Sequence, residues 1–162
     1  MIAVGLGALV TRWARVYADH KAVSGGVTYV HLAGILLGGG LAVSADRTVL
    51  RWSPEPGPDR SRELQSLGAS HRWVVGGLGL TFVSGLGMLL ADVDTYLTSA
   101  VFWTKMGLIA LLIANGYLKL RAEAAYASGG VAQWGRLRGT AVASLVLWFA
   151  VLLAGTVLTA AT

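Results

Sequence analysis

Apolar residues along this chain gather into four long runs instead of alternating every second position or every third to fourth. The runs cover residues 26–45 (GVTYVHLAGILLGGGLAVSA), 73–91 (WVVGGLGLTFVSGLGMLLA), 97–118 and 139–159. A bilayer core needs about 20 helical residues to cross it, so each run has the length of a transmembrane helix. The third run carries one charge, Lys105, and the others carry none. The pattern predicts an all-α chain, an integral membrane four-helix bundle forming a single transmembrane domain over residues 1–162. Its partner is the lipid bilayer.

The first 22 residues follow a different rule. Ile2, Leu6, Leu9, Val10, Trp13, Val16 and Tyr17 recur at helical spacing, with Arg12, Arg15 and Asp19 on the other side. The apolar part precedes the basic part, the reverse of a signal peptide. Residues 1–22 therefore predict an interfacial amphipathic helix, with Ser24-Gly25-Gly26 as its hinge into the first span. Such a helix could equally dock on a partner subunit. Residues 46–70 contain all three prolines and read as a cytoplasmic linker, with the second helix beginning near Glu63, Leu64 and Leu67.

Composition agrees with the pattern. The chain is 55% hydrophobic and 13% charged, against roughly 25% charged in ordinary soluble domains. With no cysteine, it can form no disulfide, thiolate metal site or cysteine nucleophile. The net charge of +5 sits in the connections: Arg47, Arg51, Arg60, Arg62 and Arg72 follow the first run, and Lys119, Arg121, Arg136 and Arg138 follow the third. That distribution explains the charge by topology and leaves no case for nucleic acid. Counting basic residues places these two connections in the cytoplasm of a bacterial inner membrane, and the Asp92/Asp94 connection and both termini outside. Arg12, Arg15 and Lys21 pull the other way.

Glycines crowd the first two runs. Gly34 and Gly38 form a small-xxx-small pair for close helix packing, and the alternative is a face cleared for a flat ligand such as a porphyrin. Polar residues in hydrocarbon are costly and mark chemistry. His31 and Lys105 enter from the same side at similar depth, and two facing bases require an anion, a metal-bearing cofactor or deprotonation. His31 can serve as a metal ligand to haem iron, and Lys105 as the opposite ligand or a propionate partner. Each also has a plainer reading, as a hydrogen-bonded bundle histidine and a snorkelling lysine. His71 lies roughly a membrane thickness from His31. His20 reaches the outer site only if the first helix folds over it. Asp46, Arg47 and Asn115 read as structural. No hydrolase or nucleotide-binding signature is present.

His31, Arg47 sixteen residues later, and FWTKMGLIALLIANG in the third run together resemble the bacterial HemJ family of membrane protoporphyrinogen oxidases. The third-run motif is also similar to the copper-resistance CopD family. The resemblance implies b-type haem (haem b) associated with His31 and Lys105, with Arg47 as an inner-face partner. The polar Asn-Glu motif of the HemJ family is missing from the last run. The expectation is a haem-binding protein of electron transfer or porphyrin oxidation, an oxidoreductase if an enzyme. The alternative is a cofactor-free accessory subunit of a larger respiratory or photosynthetic membrane complex, in contact with other membrane subunits or copies of itself. A transporter would need more polar residues at mid-depth than Thr81, Ser84 and Asn115 supply.

Overall fold

Long apolar runs with few helix breakers become long helices. The computed structural model describes residues 2–54 and 60–161 and is helical almost throughout. Helix α1 spans Ile2–Asp19, α2 Lys21–Arg51, α3 Arg60–Ala91, α4 Val93–Thr98, α5 Ala100–Gly129 and α6 Trp134–Ala161. Four of these, α2, α3, α5 and α6, are long and apolar enough to cross a membrane. The helices run beyond the apolar stretches that predict them. Residues 46–51 and 60–70, read from sequence as linker, are helix, because arginine, glutamate and leucine favour helix whether or not they lie in hydrocarbon. Pro56 and Pro58 lie outside the described residues.

Chain reversals use local chemistry. The break between α1 and α2 falls at His20, whose extended backbone (φ −113°, ψ 94°) turns the chain, and Ser24-Gly25-Gly26 is inside α2. The expected hinge is therefore displaced, since glycine in a long helix costs only about 1 kcal/mol and does not by itself end it. Asp92 caps α4 by accepting from the Thr95 N–H at 3.3 Å, and Ser99 caps α5 by accepting from Phe102 N–H at 3.3 Å. Gly130, at φ 60°, closes α5 and leads through a 3-10 turn, Gly130–Gln133, into α6.

The long helices pack in the cyclic order α3–α2–α6–α5, tightly along α2–α3 and α5–α6 and least between α5 and α3. Helices α2 and α5 are diagonal, and among the described residues their backbones do not approach closely. Glycine sets the α2–α3 seam. A Cβ on Gly34 would lie 2.9 Å from the Gly77 carbonyl oxygen, and one on Gly38 would lie 3.2 Å from that of Val74. Gly39 accommodates the Trp148 ring. Gly34, Gly38 and Gly77 thus serve close helix packing, whereas Gly40, Gly76 and Gly79 have open space where a Cβ would lie.

The apolar core lies at the end of the bundle where α2 ends and α3 begins. Val49, Leu67, Ala122, Tyr126, Leu137 and Ala141 are buried there, with Leu64 against them. Tyr126 stacks on Trp52 (centroids 6.4 Å apart) and donates its hydroxyl to the Pro54 carbonyl at 3.3 Å. Outward faces are apolar: Leu36 is 77% exposed, Phe82 71% and Leu153 65%, whereas Asp46, Lys119, Asn115, Ser84 and Ser144 are buried. This is the reverse of a water-soluble bundle, and it is the arrangement that suits contact with lipid.

Helix α1 folds back on α3 and α2. Its Trp13 donates Nε1–H to the Gly87 carbonyl at 2.7 Å and packs on Tyr17. The surface it finds is in its own chain. Tyr96 in α4 sits beside Tyr17, and its phenol is pushed above the ordinary tyrosine value, first by burial and then by Tyr17 and Asp92.

Candidate functional site

Two polar clusters lie inside the bundle, one toward each end. The first is built on His31 of α2. His31 Nδ1 is 3.1 Å from Ser84 Oγ on α3. The single Ser84 hydroxyl proton is directed to the Leu80 carbonyl at 2.7 Å, with that of Thr81 at 3.1 Å. With its proton so directed, Ser84 can accept from His31 Nδ1–H, the tautomer in which Nε2 carries the lone pair. Gly85 makes room for the ring: a Cβ there would lie 3.2 Å from His31 Cε1.

Lys105 of α5 is within electrostatic range of His31. Gly155 on α6 clears its path, since a Cβ there would lie 3.4 Å from Lys105 Nζ. Arg47 lies far from His31. It is exposed, and sixteen residues of helix separate it from His31 by roughly 24 Å at 1.5 Å per residue. His20 is exposed and lies in a shallow groove with Arg12, Arg15, Val16 and Asp19.

All four long helices contribute to the second cluster. Asp46 of α2 is fully buried and ion-paired through Oδ1 with Lys119 of α5, itself 5% exposed. Glu123, one turn on in α5, has Oε1 4.0 Å from Lys119 Nζ. His71 of α3 is within electrostatic reach of both carboxyls. The Ser144 hydroxyl of α6 lies beside Asp46 without completing a hydrogen bond to Oδ2. The Lys119–Asp46 pair is the direct link between the diagonal helices α2 and α5. Next to it, Asn115 Nδ2 donates to the Thr140 carbonyl at 3.0 Å, tying α5 to α6.

This second cluster changes the reading of three residues. Lys119, counted from sequence as a loop cation, is inside helix α5 and buried. Asp46 is the centre of an ion cluster, and Glu123 was passed over. The signal was present in the spacing. Leu112, Asn115, Lys119, Ala122 and Tyr126 step by three and four residues and form one buried stripe of α5. On α2, Gly34, Gly38, Ala42, Asp46 and Val49 do the same. Ending the third run at Leu118 hid the first stripe. Among the described residues no group of three or more histidine and carboxylate side chains is placed to hold a metal ion.

No family model, curated protein or solved structure matches the chain.

Proposed function

We propose that the chain is a multi-pass membrane protein that holds b-type haem at His31 and takes part in electron transfer. One observation carries this reading: His31 Nδ1 lies 3.1 Å from Ser84 Oγ, a partner that can accept its N–H and so leave Nε2 as a metal donor inside an apolar bundle. Histidines that ligate metals characteristically donate their second ring N–H to a fixed acceptor, and His31 has that arrangement. Lys105 supplies a second nitrogen at the same level, either as the opposite ligand or as a cation for a propionate. Bound haem would carry one electron by cycling between ferric and ferrous iron. The protein's part is to hold the ligand ring in one tautomer and to keep water from it. The reading takes the membrane to be a bacterial inner membrane, with α1 at its outer interface; the distribution of arginines supports an orientation with the end bearing Arg51 and Arg136 in the cytoplasm and both termini outside.

The test is an absorption spectrum of the full-length protein, made under haem-sufficient conditions and purified in mild detergent. A Soret band is expected, and His31→Ala should abolish it. Ser84→Ala should retain haem but bind it about 10- to 100-fold more weakly, the usual effect of losing such a partner. A folded protein without haem overturns the reading and leaves the bundle as a subunit without a cofactor.

A further inference from the structure

The charges of the Asp46–Lys119–Glu123 cluster do not balance. Two carboxyls face one ammonium, and all three lie inside the bundle. If both carboxyls were ionised, the cluster would carry an uncompensated negative charge in a low-dielectric interior, an arrangement far more costly than a neutral one. The hydrogen bonding is incomplete as well. Asp46 Oδ2 and Glu123 Oε1 are each buried with no hydrogen-bond partner among the described residues. One added positive charge removes the imbalance, and if it is a proton it also supplies a missing donor.

His71 is the fourth member. Its Nδ1 lies 3.2 Å from the Leu67 carbonyl, which can only accept, so the ring proton is on Nδ1 and Nε2 is free to take another. His71 is half-buried, whereas Asp46 is wholly enclosed. It is therefore more accessible to water than Asp46 and, like Glu123, only partly buried. The groups facing the cluster are Asp46 on α2, His71 on α3, Lys119 and Glu123 on α5, and the Ser144 hydroxyl on α6.

We propose that this cluster is an intramembrane proton-binding site in which Glu123 holds one exchangeable proton, taken up and released through His71. In the transfer, the His71 Nε2–H bond breaks as the Glu123 Oε1–H bond forms. The imidazolium becomes neutral imidazole, the carboxylate becomes carboxylic acid, and water at the arginine-rich end returns a proton to Nε2. Asp46 remains ionised against Lys119. The site is separate from His31 and independent of the haem reading.

The experiment is a pH titration of the full-length protein in lipid nanodiscs by infrared difference spectroscopy, following the C=O stretch of protonated carboxyl groups. A band that appears as pH falls is expected, and Glu123→Gln should remove it. Asp94→Asn, on exposed α4, should leave it unchanged. Haem propionates are untouched by Glu123→Gln, so the difference spectrum isolates this one carboxyl whatever the haem content. Absence of a titrating band in the unsubstituted protein overturns the proposal without any variant having to fold. So does a Glu123→Gln protein whose titrating carboxyl absorption is undiminished from that of the unsubstituted protein. A spectrum that responds to sodium at fixed pH, and not to pH, overturns it in favour of a metal-cation site.

Discussion

Single residues do their work here through size as much as charge. Gly77 shows this clearly, because a Cβ on it would press into the Gly38 backbone and come within 2.8 Å of the Gly34 carbonyl oxygen. Gly79, two residues on, has nothing within 4 Å. Gly77→Ala is therefore expected to destabilise the bundle by about 1–3 kcal/mol, the usual range for overpacking. Gly79→Ala should leave stability unchanged or slightly raised. Reversible unfolding in mixed detergent micelles measures both. Their difference is the informative quantity, since the helix-propensity gain of alanine is common to the two. Gly85 and Gly155 follow the same logic, because each lacks a side chain where His31 or Lys105 lies across it.

At the scale of elements, α1 is the segment whose role depends on its neighbour. Its apolar positions predict a helix at an interface, and its docking on α3 through Trp13 decides which surface it covers. Trp13→Phe keeps the ring and removes the Nε1–H donor to Gly87. The expected cost is about 1 kcal/mol, with faster hydrogen exchange of α1 amides and little change in α5 and α6. Uniformly faster exchange across all helices would show that α1 is integral to the bundle and not an appended element. Helix α5 has the opposite character. It contributes Lys105 to one cluster and Lys119 and Glu123 to the other, so a single straight element sets the distance between them.

For the molecule as a whole, the question is which end faces which compartment. With Lys119 buried against Asp46, it no longer counts as a loop cation, yet Arg51, Arg62, Arg72, Arg121, Arg136 and Arg138 still mark one end. The chain has no native cysteine, so single cysteines report on topology without background. Thr95→Cys is expected to react with a membrane-impermeant maleimide added to intact cells, and Ser128→Cys only after the membrane is opened. The reverse labelling would invert the orientation and place the Glu123 site toward the outside. The sequence by itself determined the number of membrane-length helices, their approximate centres and the arginine-rich end. All of these depend on length, hydropathy or rise per residue, which are local quantities. Only the tertiary structure decided that Ser84 meets His31, that α1 returns to its own α3, and that Lys119 crosses the bundle to Asp46. Those contacts join residues 53 to 74 positions apart. Hydropathy cannot encode them, because a lysine in a loop and a lysine buried against a carboxylate contribute equally to a sequence average and differ only in what the neighbouring helix places opposite.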